Sequence, residues 1–238
     1  MIKQDLPSKV RRLIFSPGVI FVALFVAASP HHAFSQQVPN SSVVSGPSVS
    51  FTLDFPNSEP AHYAITVDAT GHASYDCIVK VEGADDQTYK TEFNLTPSAR
   101  QHIFDWAKQA KYFTGKIDSE NRKLAFTGDK ALSYQDGQHS NTAHYNYSNL
   151  EPVRELTALF QSMAATLDYG RRLSYDHRYQ KLALDDEIRR MEAQAKNNEL
   201  SEIQGVAPIL QEIADDNSVI NGVRARAREL IQMGAAGH

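Results

Sequence analysis

Cysteine is almost missing: Cys77 stands alone in 238 residues, so no intrachain disulfide can form and the small disulfide-stapled secreted scaffolds are excluded. A nucleophile elbow, a phosphate-binding glycine loop, a dinucleotide fingerprint and paired zinc-ligand spacings are also absent from the sequence. Their absence lowers the expectation of an enzyme without removing it, because triads and carboxylate dyads assemble from distant segments. Long apolar runs are equally scarce. The uninterrupted run at residues 19–28 would span about 15 Å as a helix, half the roughly 30 Å of a bilayer core.

That short run sits in what reads as a cleavable secretory leader. Lys3, Lys9, Arg11 and Arg12 give a basic start, Leu13 to Ala28 is mostly apolar, and Ala33-Phe34-Ser35 places small residues at −3 and −1 before Gln36. Cleavage is expected after Ser35, with Ala28 as the second position. The product would be periplasmic or extracellular, with no membrane span. Four leader cations against Asp5 leave the remaining 203 residues at a net charge of −7, against −4 for the whole chain, which speaks against a nucleic-acid partner. An exported chain with one cysteine fits a bacterial envelope. Cys77 alternates with Tyr75 and Val79, so it should face a core, where burial raises a thiol's pKa and leaves it inert.

Residues 36–47 have no periodicity and read as a flexible lead-in. Strict alternation follows, at Val49, Phe51, Leu53 and Phe55, at Tyr63, Ile65 and Val67, at Ala73 to Val81, and at Tyr89 to Leu95. These are four strands of an antiparallel sheet covered on one face. A three-residue loop at 69–71, with Gly71 at positive φ, sets Val67 against Ala73, Ile65 against Tyr75 and Tyr63 against Cys77. Thr96 and Pro97 open a helix with Ala99, Ile103, Ala107 and Ala110 on one stripe, and Gly115 is expected to close it. Further strands are expected at Leu124 and Phe126, at Leu132 and Tyr134, and at Ala143, Tyr145 and Tyr147. An Asp136-Gly137 turn should pair Tyr134 with His139. Ser148 and Glu151 form an expected capping box before the stripe Val153, Leu156, Phe160, Met163 and Leu167.

From Arg171 onward the pattern is helical only. Helices are expected from Ser174 to Ala195, broken at Asn197-Asn198, then around Leu200 to Ile213 with Ser201 and Gln204 as caps and Pro208 as a kink or restart, and from Val219 to Met233. The fold class is therefore α+β: a mainly antiparallel sheet with two helices packed on one face (residues 48–170), followed by an all-helical C-terminal tail (171–238). The tail's apolar stripes need a partner, either the sandwich or another copy.

The stretch from Phe51 to Leu167, with its Pro60-Ala61-His62-Tyr63 entry, its Tyr63 to Val67 strand, Gly71 turn, Tyr75, helix reaching Phe113 and later Tyr145, resembles a family of exported bacterial domains of unknown function. That resemblance carries no activity, and the cysteines many members place before the proline are missing. The tail's Pro208-Ile209-Leu210, Asp215-Asp216, Val223-Arg224 and Ala227 are similar to one HEAT-type helical hairpin, which implies an interaction role.

Histidine suits acid–base work and metals near neutral pH. His62, Asp68 and His72 fall on the polar face of one hairpin, and His139 and His144 in the region of another. The hairpin register separates His62 from His72 by near 20 Å, so the two cannot share a metal, and a weak Asp68 to His72 pair is expected. Tyr145 and Tyr147 should pack on the second helix. No cofactor and no metal site are expected. The reading is a non-catalytic binding module of the bacterial envelope or secretome, meeting a protein or cell-surface partner through its helical C-terminal region. Its alternative is an exported hydrolase whose site is assembled from scattered residues.

Overall fold

The computed structural model describes residues 46–56, 58–79, 86–121 and 123–236, so the leader and most of the lead-in lie outside the described residues. Strict apolar alternation builds one antiparallel sheet from β1 (Ser48–Asp54), β2 (His62–Asp68), β3 (His72–Val79), β4 (Gln87–Asn94), β5 (Asp129–Gln135) and β6 (Ser140–Tyr145). The strand order is β4-β3-β2-β1-β5-β6. Inward side chains form rows across the strands: Phe93, Ala73, Val67, Val49 and Tyr134, then Tyr75, Ile65, Phe51 and Leu132, then Cys77, Tyr63, Leu53, Lys130 and Tyr145. All of these are buried.

The 69–71 loop sets the expected register, and Gly71 takes φ +92°. Asp68 closes that loop by accepting the N–H groups of Thr70 and His72. The second hairpin departs from expectation by one residue on each side. Tyr134 pairs with Asn141, and Gly137-Gln138 form the loop. Asp136 makes the turn through its side chain, accepting the N–H groups of Gln138 and His139 at 2.7 and 2.6 Å, and Gly137 keeps a negative φ.

Two helices cover the sheet's apolar face. α1 (Pro97–Gln109) opens with Thr96 as N-cap, its Oγ1 accepting the Ala99 N–H at 3.2 Å, and buries Ala99, Ile103 and Ala107. It ends before Gly115, in a short turn whose residues Lys111, Tyr112 and Phe113 all take left-handed backbone angles (φ 52, 54 and 61°). α2 (Glu151–Tyr179) buries the expected stripe, and Phe160 stacks on Phe51 with ring centroids 5.4 Å apart. Its N-cap is Leu150, not Ser148. The Ser148 hydroxyl instead donates to Ile117 O at 2.6 Å and accepts the Leu150 N–H, so it ties a loop down. The strand expected at Leu124 and Phe126 does not form. That segment has no ladder partner, and the side chain of Asn146 holds it by donating to Ala125 O and accepting the Thr127 N–H.

The change of character at Arg171 falls inside α2, which runs unbroken to Tyr179. The expected helix from Ser174 is thus two pieces, the end of α2 and α3 (Leu184–Lys196), separated at residues 180–183. A 3₁₀ turn (Ile203–Val206) then leads into α4 (Ala207–Asp215), which Pro208 restarts at its first turn, and α5 (Asn221–Ala235) closes the described chain. Ser201 and Gln204 are not caps: Ser201 pairs with Ser162, and Gln204 donates to Glu202. The tail's apolar stripe residues Leu184, Ile188, Met191, Leu210, Ile213, Val223, Ala227 and Leu230 join the same core as the sheet and α2. The sandwich of the same chain is therefore the partner those stripes needed.

Candidate functional sites

The sheet's register sorts the five side chains singled out from the sequence into two ends. At one end β1 and β5 set Asp54 opposite Asp129. His62 Nδ1 lies 2.5 Å from Asp54 Oδ1, and His144 Nδ1 lies 3.4 Å from Asp129 Oδ2. The outer face thus carries a row His62, Asp54, Asp129, with His144 diagonal to Asp129 from its place opposite Ala131, so that two like charges on neighbouring strands each take a histidine. Sequence reasoning found both histidines and missed both carboxylates, because only strand pairing brings each histidine beside its aspartate. Among the described residues no group of three or more His, Cys, Asp or Glu side chains is arranged to hold a metal ion.

Asp68, His72 and His139 lie at the other end. Asp68 bonds the His72 backbone, and the His72 ring turns instead to Glu92 on β4, at 3.7 Å. The expected weak Asp68–His72 pairing is present as an electrostatic interaction, while the hydrogen bonds of Asp68 are committed to the turn. Its hydrogen bonds with Thr70 hold the carboxyl below its ordinary range. His139 Nδ1 sits 3.1 Å from Asp136 Oδ2, and its ring packs 4.9 Å from Tyr112, which in turn lies 4.5 Å from Tyr134. The two backbone N–H groups on Asp136 hold it at about 2, while burial and Asp136 push the Tyr134 phenol up to about 12. Tyr112 and Tyr134 line a cleft of ≈ 450 Å³ with Arg100 and Lys108 on its rim. His139 stands behind those tyrosines, and with its carboxylate engaged by the turn this His–Asp pair clasps a loop.

Cys77 is buried, as the alternation predicted, and burial pushes its thiol up. Tyr145 is buried and donates to Thr157 Oγ1 at 2.6 Å, since that oxygen's own proton goes to Val153 O. Tyr147, expected beside it, is exposed.

The surface feature absent from the sequence reading is a corner where α2 ends. Tyr175 and Tyr179 stand one helical turn apart on α2, Leu182 follows in the turn beyond it, and the three are 52%, 66% and 96% exposed. The two tyrosine rings are 5.1 Å apart, and the Arg178 guanidinium lies 6.0 Å from the Tyr179 ring centroid. Gln180 leaves helical geometry at φ −140°, which ends α2 and turns Leu182 outward. Lys181 anchors the corner, donating to Asp216 Oδ2 at 2.7 Å and to Ser218, and His177 Nε2 meets the same oxygen at 2.9 Å. Those bonds pull the Asp216 carboxyl far below its ordinary range. The Tyr175, Tyr179 spacing of one helical turn was the available signal. It was hidden by the second stripe on the same helix, which carries Leu167 and Leu173 into the core.

No family model matches the chain, and no curated protein matches it. Among the described residues no helix is long and apolar enough to cross a membrane.

Proposed function

We propose that this is an exported, non-catalytic binding module that holds a protein partner against the corner formed by Tyr175, Tyr179 and Leu182. The carrying observation is the exposure of these three side chains together on an anchored corner, close in sequence and beside Arg178. Tyrosine and arginine are the residue types enriched where interfaces carry their binding energy. Arg178 lies near the Tyr179 ring and forms no ion pair among the described residues. The partner that fits is a protein with an apolar groove edged by carboxylates. The separation of the five titratable candidates into two ends of the sheet supports binding over the alternative of an assembled hydrolytic site. Export rests on the leader pattern of residues 1–35, and the likeness to exported bacterial domains of unknown function belongs to the same proposal.

The test is quantitative co-isolation from the producing cell with wild type, Arg178→Glu and Tyr179→Ser/Leu182→Ser. One defined acidic-surfaced protein should be lost about tenfold or more in both variants while their melting temperatures stay at the wild-type value. Equal recovery with all three would overturn the reading.

A further inference from the structure

Lys130 is a lysine on the inward face of a sheet, only 4% exposed, and no carboxylate forms an ion pair with it among the described residues. Its ammonium donates to Thr127 Oγ1 at 2.8 Å, to Asn146 O at 3.0 Å and to Thr127 O at 3.3 Å. All three acceptors are neutral. Burial of a cation is costly and lowers this lysine's pKa, an effect that the charges of Asp129 and Asp118, beyond ion-pair distance, offset only in part.

Lys130 borders a cleft of ≈ 340 Å³ between the β5–β6 edge of the sheet and the first turns of α2. Arg154 lines the same cleft, bonds only the Asn149 carbonyl, and likewise has no ion pair among the described residues. No aspartate or glutamate contributes to the wall. The remaining surface includes the exposed ring of Tyr147 and Ala158, with the amide of Gln161 making no hydrogen bond among the described residues. A concave, partly aromatic wall with two cations and a free amide matches the general composition of small-molecule sites, at the small end of their size range.

We propose that this cleft binds a small planar carboxylate, with the anionic end between Lys130 and Arg154 and the flat body along Tyr147. The longest lysine contact, to Thr127 O, is the one a ligand oxygen would take over. Gln161 supplies a further donor at the cleft mouth. The site is separate from the Tyr175 corner and stands or falls independently of it.

The probe is benzoate, titrated into the full chain at low ionic strength and followed by calorimetry and by shifts of the tyrosine ring resonances. Saturable binding is expected, with benzamide, the neutral isostere, bound at least about tenfold more weakly. Lys130→Met and Arg154→Gln should each weaken benzoate by about tenfold or more, whereas Lys108→Gln and Leu182→Ser should leave it unchanged. Arg154 is exposed, so its variant reports on the site even where Lys130→Met fails to fold. Equal binding of benzoate and benzamide, no saturation, or unchanged benzoate affinity in a folded Arg154→Gln variant would each overturn the proposal.

Discussion

Glu202 closes the first turn of α1 from 106 residues away: its two carboxylate oxygens accept the Thr96 N–H at 2.6 Å and the Thr96 hydroxyl at 2.8 Å. Thr96 Oγ1 in turn accepts the Ala99 N–H, so the cap is itself capped. The carboxylate is buried, and Gln204 donates to it as well. One residue of the tail therefore completes the hydrogen bonding of a sandwich helix, and the two regions should lose structure together. Glu202→Ala is expected to lower stability by about 1–3 kcal/mol, because it leaves half-buried donors without partners. Glu202→Gln, which keeps one acceptor, should cost less. Urea unfolding followed by both far-ultraviolet dichroism and Trp106 fluorescence checks this, with one shared transition expected.

Gly170 lets α2 meet the 3₁₀ turn of the tail. A Cβ at that position would stand 2.4 Å from Val206 Cγ1, inside any real carbon–carbon contact. Gly170→Ala should therefore destabilise by about 1–3 kcal/mol through overpacking. Val206→Ala should recover much of that loss when combined with it, a coupling that a double-mutant cycle measures directly.

Three consecutive left-handed residues follow α1, and Lys111 is the exposed one that begins them. Lys111→Gly removes the Cβ clash of that conformation, worth about 1–2 kcal/mol, against about 0.5–1 kcal/mol of added chain entropy in the unfolded state. A gain of about 0.5–1 kcal/mol is expected in thermal or urea unfolding.

Asp136 stays ionised in the folded turn down to about pH 2, whereas an unfolded aspartate titrates near about 3.9. Its folded pKa is depressed, so its stabilisation is fully present above about pH 4 and is lost as pH falls through about 2. Asp136→Asn keeps an acceptor for the turn and removes the charge. Wild type should be the more stable at neutral pH, and the gap should close between about pH 4 and 2 in unfolding measured across that range.

Strand alternation made the sheet legible from sequence, including the 62–78 hairpin to the residue, because Gly71 and one apolar face leave a single register. The β5–β6 turn was one residue out, since an Asp side chain that bonds two N–H groups ahead competes with the Asp-Gly dipeptide signal. The stop of α2 could not be seen either. Nothing between Ser174 and Ala195 is Gly or Pro, and the break at Gln180 comes with long-range bonds from Lys181 and His177 to Asp216. Candidate sites were legible only as residue types. His62 and His144 reach the same end of the sheet only through β1 and β5, and Lys130 reads as an ordinary strand lysine until the fold buries it.

The most direct test of the binding account is photo-crosslinking in the producing cell from a benzophenone amino acid placed at position 182, with the same amino acid at the exposed Gln138 as comparison. The account predicts one discrete heavier product from position 182, containing a second, different protein, absent from position 138 and lost when Arg178→Glu is added. No product, the same products from both positions, a product made only of a second copy of this chain, or one made only of lipid would contradict it.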